Sequence, residues 1–382
     1  MIQSIKNFAV NWAGGMKVNE KHLMVHDKFI LDTVRDSNTF RCNNFNYGLL
    51  PIALAKNTDE TIFDVYSSPT KDVQLVIKHC SALTAAGYRI DLSDYKTNIK
   101  SLMRSPEENE ENINESYYIL VSTNPFDRVP FGDIDSEEIP PRHPFTQAKY
   151  NIELIPESTL KNGSTAGNYI IIGKVNIKGS IVEADQNFIP PCTSVHSHPA
   201  LLSYYNSFAK SMGSLQQYAL TIIQKATSTN QNSVLASNVK ALCQTLINHV
   251  ANVYFNYRNI VPNQPPIYMI GAFSGMALQI YYSTQVLAKG ELEEMLNYSY
   301  EWSEVAPHTL LNQLSAVAEI NYDHNNCGEH LYEIQRLLKS LEIIFSKLSS
   351  LDYIGQRKEN IIVNEQDITP AAKIKKGWSL LD

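Results

Sequence analysis

The stretch NFIPPCTSVHSHPALLSYYNSF, Asn187 to Phe208, separates two parts of the chain that follow different hydrophobic periodicities. Upstream, short runs such as Tyr169 to Val175 carry the apolar content of half-buried strands. Downstream, apolar residues recur at helical spacing almost to the end. Pro190 and Pro191 have no backbone N–H to donate, so the pair neither continues a ladder nor sits inside a helix. Beyond them Ser197 is the expected helix cap, and Pro199 fits a first turn, where a missing N–H costs nothing. The expected fold class is multidomain α+β. Residues 1–192 form a β-rich shell, 193–351 a helical domain and 352–382 a short C-terminal tail.

The 382 residues suffice for two or three cores, and 43% hydrophobic content is ordinary for a globular chain. A formal charge of −7, with no basic stripe, argues against nucleic acid as a partner. Five scattered cysteines, Cys42, Cys80, Cys192, Cys243 and Cys327, make no disulfide framework and predict reduced thiols in a cytosolic protein. MIQSIKNFAV lacks the apolar core of a signal peptide. Ile267 to Ala288 is uncharged and long enough to span a membrane, but Ser274, Gln279, Ser283, Thr284 and Gln285 make it a poor span.

Near the N-terminus, Gly14-Gly15 predicts a bend beside Trp12. His22 and His26, four apart, would share one helix face, a spacing that a zinc pair uses. No acid follows in the metalloprotease pattern, so two ordinary histidines are expected. Segments 47–55, 61–66 and 73–77 read as strands, and the acidic run 104–116 as a solvated loop. Tyr117 to Val121 is a buried strand, followed by a proline-punctuated crossing from Pro125 to Pro144. Lys149 to Ile155 and Tyr169 to Val175 are expected to pair through a turn at Asn162-Gly163, as in a β-sandwich or barrel.

In the helical part, Leu235, Val239, Leu242, Leu246, Val250, Val253 and Tyr257 recur with an eleven-residue repeat, which favours a straight bundle. Gly271 and Gly275 notch the next helix for close packing. A further helix spans about 291–304. The last runs from Gly328 to about Leu351 on the stripe Leu331, Ile334, Leu338, Leu341, Phe345 and Leu348. This is more apolar face than one short bundle consumes, and it predicts a homotrimer.

Candidate chemistry is sparse. Cys192 with His196 and His198, and the cluster Asp323, His324, Cys327 and His330, carry metal or thiol ligands. The alternative is a helix start at the second cluster, with Asn325 or Asn326 capping and His324 bonding the preceding turn. The sequence contains no P-loop, dinucleotide glycine pattern or nucleophile elbow. The expectation is no catalytic residue, no cofactor and no metal at His22, His196, His198 or His324.

Four stretches, in order, resemble the TssK family of type VI secretion baseplate proteins. They are Trp12, Gly15-Met16, His22 and Asp27-Lys28-Phe29; Phe188-Ile189-Pro190-Pro191; Pro266 to Gly275; and Tyr322-Asp323-His324. Leu23 stands where the family prefers Phe. The resemblance implies a β-sandwich like the shoulder of phage receptor-binding proteins, a helical-bundle neck and an axial trimer. It also implies docking on the TssF and TssG wedge, with Trp12, Met16 and His22 as docking residues. The implied location is the cytoplasm, at the baseplate on the inner face of the cytoplasmic membrane. In the family a C-terminal head contacts the membrane complex; only about thirty residues follow Leu351, too few for a full head domain, which puts that contact in question. A phage-tail-like receptor-binding or baseplate protein shares the architecture, and a metal-dependent or thiol enzyme is the third class.

Overall fold

The computed structural model describes residues 4–51, 62–67, 73–99, 114–160, 167–178, 181–229 and 231–358. It is an α+β chain in which two antiparallel sheets precede six long helices. Helix α1, Glu20–Thr39, comes first, and the mixed composition of that segment gave no sign of it. Its apolar residues do not line one buried face: only Asp32, Arg35 and Thr39 are buried. The capping is regular, since Asn19 accepts from the His22 N–H while the His22 ring accepts from the Asn19 N–H, both at 3.3 Å.

In the first sheet β3, Val73–Leu83, is the shared neighbour. Strand β2, Phe63–Ser67, pairs with its first half, and β1, Gly48–Leu49, with its last two residues. Strand β4, Arg89–Ile99, runs along the other side. The second sheet has the order β6-β5-β7-β8, built from β5 (Asn114–Phe131), β6 (Phe145–Pro156), β7 (Tyr169–Lys178) and β8 (Ile181–Ala184). One turn of helix, α2 (Glu157–Leu160), follows β6.

The expected pairing of Lys149–Ile155 with Tyr169–Val175 is corrected: β5 lies between them and pairs with both. The Asn162-Gly163 turn lies outside the described residues, as does the acidic run up to residue 113. Ser116 belongs to β5, and so do residues 125–131 of the supposed crossing. Pro130 is tolerated because β5 pairs with β7 only over Asn114–Ser122, so further on its other edge needs no N–H. Gly173 of β7 lies against the ring of Phe63 in β2, where a Cβ would overlap that ring. Ile77 and Ile90 from one sheet and Ile119, Ile170 and Ile172 from the other belong to a single apolar core.

The helices are α3 (Pro199–Ser228), α4 (Val234–Asn259), α5 (Pro266–Gln285), α6 (Lys289–Ser303), α7 (Pro307–Ala318) and α8 (Cys327–Ser350). Helix α7 was not read from the sequence. His198, not Ser197, caps α3: its ring accepts the Ala200 N–H at 3.2 Å, while Ser197 sits in a preceding single 3-10 turn. The α8 stripe is buried throughout, each large side chain contributing roughly 1.5 to 3 kcal/mol. No described helix is long and apolar enough to cross a membrane.

The α4 stripe is also internal. Leu235, Val239, Leu246, Val250 and Tyr257 are buried within the chain, and Leu242 and Val253 pack against the same core. The surplus apolar face inferred from that repeat is therefore absent, because α3, α5 and α6 already pack against α4. Gly275 does meet a neighbour, the His249 ring of α4 at 3.5 Å, but Gly271 faces open space. Within the chain Gly271 makes no close helix contact.

Candidate interaction site

Two places concentrate the polar chemistry, and they differ in kind. The first is the joint between the sheets and the helices. Leu49 N–H donates to the Pro191 carbonyl at 2.7 Å, and Thr193 N–H donates to Leu49 O at 2.9 Å, so the double proline is laid alongside β1. On the far side, α8 starts against the same stretch: a Cβ on Gly328 would lie 3.1 Å from Asn187 O. Val195 N–H reaches Gln264 O just before α5 at 3.1 Å. Three of the four family-like stretches thus converge here.

His324 is the pin of that joint. One ring nitrogen lies 2.8 Å from the Tyr47 carbonyl, which only accepts, so Nε2 carries the proton. Nδ1 then accepts from the Tyr322 hydroxyl at 2.7 Å, and the Tyr47 hydroxyl donates to Asn325. Burial pushes the His324 pKa down, which keeps the ring neutral. His324 therefore bonds both Tyr47, beside β1, and Tyr322 in the stretch just before its own turn. Asp323, not Asn325 or Asn326, supplies the side-chain cap, accepting from Asn325 N–H at 2.9 Å, and the His330 ring accepts from Asp323 N–H at 3.2 Å.

In this cluster the ring nitrogens of His324, one of His330 and one oxygen of Asp323 are thus engaged in hydrogen bonds. Among the described residues no three His, Cys, Asp or Glu side chains gather at metal-binding distance. All five cysteines are free thiols. Burial raises Cys327 to about 12 and Cys192 well above its ordinary value, so neither is a thiolate at neutral pH. Tyr47 was missed by sequence reading, since nothing local marks a strand-edge tyrosine as the partner of a histidine 277 positions away.

The second place is the N-terminal arm. Lys6 and Asn7 donate their backbone N–H groups to Asp32 Oδ2, each at 2.9 Å, and Asp32 pairs with Arg35 at 2.7 Å. Burial opposes the Asp32 charge, but the two N–H donors, the Asn7 amide and Arg35 outweigh it and hold the carboxyl below its usual range. The arm is thereby laid along α1. Farther along the arm, Gly15 takes φ +80 in the expected bend, and Met16 N–H closes it onto Ala13 O at 3.1 Å.

Trp12 lands edge-on between His22 and His26, with ring centroids 6.2 Å from each, so the four-residue spacing does place both on one face. They flank an indole. Trp12 remains 49% exposed and Met16 is half-buried. On the arm and on α1, Phe8, Leu23, Met24, Ile30 and Val34 are exposed as well, a set that sequence reading did not single out. Helix α1 is fastened at its C-terminal end, where Thr39 Oγ1 donates to Ala86 O and Asn38 to Gly87 O in the β3–β4 turn. Exposed apolar side chains in this number on one helix and its adjoining arm make it a candidate interaction site.

No protein-family model and no curated protein matches the chain. Among solved structures, a crystal structure of TssK is similar at 14% identity and a TM-score of 0.50, covering 88% of this chain and 69% of that one. A chain of the baseplate complex from the type VI secretion system is similar at 13% identity and a TM-score of 0.50, over 87% and 99%. A chain of the TssK–TssF–TssG baseplate subcomplex gives 11% identity and a TM-score of 0.46, over 87% and 99%. At such identities the likeness is one of fold: this chain has the fold of the TssK structures.

Proposed function

We propose that this chain is a structural, non-enzymatic adaptor of a type VI secretion baseplate. It assembles as a homotrimer on the cytoplasmic side of the inner membrane and docks on a TssF–TssG wedge. In this reading the two sheets form a β-sandwich shoulder and α3 to α8 a helical-bundle neck. The observation that carries it is the half-exposed Trp12, clamped by two histidines within an uncovered apolar surface on α1. A buried tryptophan would have argued for plain core; this one has the exposure and rigidity of a docking anchor. The TssK-like fold supports the same conclusion.

Trp12→Ala provides the test. Loss of a central aromatic anchor costs about 2 kcal/mol or more of binding, roughly a thirtyfold drop in affinity for the wedge. Co-purification with TssF and TssG should fail while the melting curve stays unchanged. Retained co-purification would remove Trp12 from the interface, and equal loss of melting temperature would make its role structural.

The trimer has its own candidate face, though not the α4 stripe. Tyr268, Gly271, Gln279, Tyr282 and Val286 follow one another on the outer face of α5, all exposed and none charged. Light scattering is expected to give about three chains per particle for the native protein. Gly271→Leu fills open space in the chain, so it should give a folded monomer. A monomeric native particle at micromolar concentration would refute the trimer.

A further inference from the structure

The β5–β6 hairpin outgrows its sheet. Pairing of β5 with β7 stops at Ser122, whereas pairing with β6 continues to Phe131 opposite Phe145. The second half of β5, residues 123–131, is therefore one strand of a two-stranded ribbon, and such ribbons are marginal alone. This one is braced at its tip. Asp135 N–H donates to Arg142 O at 2.9 Å, the Arg142 guanidinium binds both oxygens of Glu138, and the His143 ring donates to Gly132 O at 2.7 Å. Lower down, Arg128 donates twice to Thr146 and Lys149 pairs with Asp127 at 3.3 Å.

The braced tip nevertheless presents apolar groups to water. Ile139 at its apex is 97% exposed, and the facing Phe131 and Phe145 are each more than half exposed. An apolar group held in a pre-ordered loop loses little entropy on docking. The same tip carries Asp133, Asp135, Glu137 and Glu138 against the single base Arg142, a net charge of −3. The Asp133 and Glu137 side chains have no partner among the described residues. Such a surface is repelled by the phosphates of nucleic acid and by anionic lipid.

We propose that residues 131–145 form a docking knob for a second protein, one offering an apolar pocket for Ile139 ringed by lysine or arginine side chains. The knob is separate from the Trp12 surface and stands whether or not the partner is a wedge protein.

A photo-crosslinking amino acid placed at Ile139 of the full chain in its native host, with Lys339 on α8 as the control position, tests this. The expected result is an adduct specific to position 139, mapped by mass spectrometry to a Lys- or Arg-rich surface of a different protein. Glu137→Lys introduced alongside the crosslinker, and separately 1 M salt, should each lower adduct yield about tenfold, with melting temperature unchanged because Glu137 is exposed. An adduct on TssF or TssG also extends the wedge contact, whereas an adduct on another protein upholds the knob and leaves the wedge to Trp12. Adducts only with another copy of this chain, on a surface lacking basic residues, or no adduct at all would overturn the proposal.

Discussion

Gly48→Ala is expected to lower the stability of this chain by about 4 kcal/mol or more, placing it among the few substitutions with a named cause for so large an effect. Gly48 has φ +119, a region that costs a non-glycine residue roughly 1 to 3 kcal/mol. The methyl group would also overlap the Pro191 carbonyl and lie 2.6 Å from the Cys192 nitrogen. Backbone is all it meets, so no side chain can swing aside. Relief requires parting β1 from the double proline, which breaks the Leu49–Pro191 and Thr193–Leu49 hydrogen bonds, each worth about 1 kcal/mol. A melting temperature lower by roughly 10 °C is the outcome in calorimetry. Gly213→Ala in α3 is the control, since its Cβ meets nothing and an alanine in an exposed helix gains up to about 1 kcal/mol. If Gly48→Ala melts like the native chain, the joint is not held by this contact.

The same joint shows what sequence could and could not reveal. Two adjacent prolines end any regular element by covalent chemistry alone, so the change of periodicity at Pro190-Pro191 was legible without a partner. The α8 stripe was legible too, because period and burial are both properties of one helix. Strand order was not: β5 inserts between β6 and β7 through contacts that a local pattern does not encode. Periodicity also reports that a face is buried, not by what. The α4 repeat is core of its own chain, and its use as an argument for assembly failed on that point. At the arm, Trp12, His22 and the bend were visible as residues. The exposed apolar residues near them were not, because which side chains of α1 stay uncovered depends on what packs against the helix, and no apolar residue of α1 is buried.

Acid is expected to destabilise the chain well before its carboxylates titrate. Burial lowers the pKa of His198 to about 4 and also lowers those of His249 and His324. Each is used as a neutral ring. His198 accepts from Ala200 at the start of α3, His249 donates to Ala272 O at 2.8 Å between α4 and α5, and His324 ties the start of α8 to Tyr47 beside β1. In the unfolded chain all three return to about 6.5. Below pH 6.5 the unfolded state therefore binds protons that the folded state refuses, and stability falls as the pH falls, by about 1.4 kcal/mol per unit for His198. The His198 contribution is complete near pH 4, where its folded ring also protonates, and amounts to roughly 3 kcal/mol. Asp32 and Glu301, whose folded pKa values are depressed, contribute only below about pH 4, so the two windows separate. Denaturant titrations between pH 7 and 4 measure the slope. His198→Asn keeps a cap acceptor without a titrating ring, so it should remove one proton of pH dependence while leaving stability at pH 7 nearly unchanged. An identical slope in that variant would show that His198 is protonated in the folded chain, and that the start of α3 is open to water.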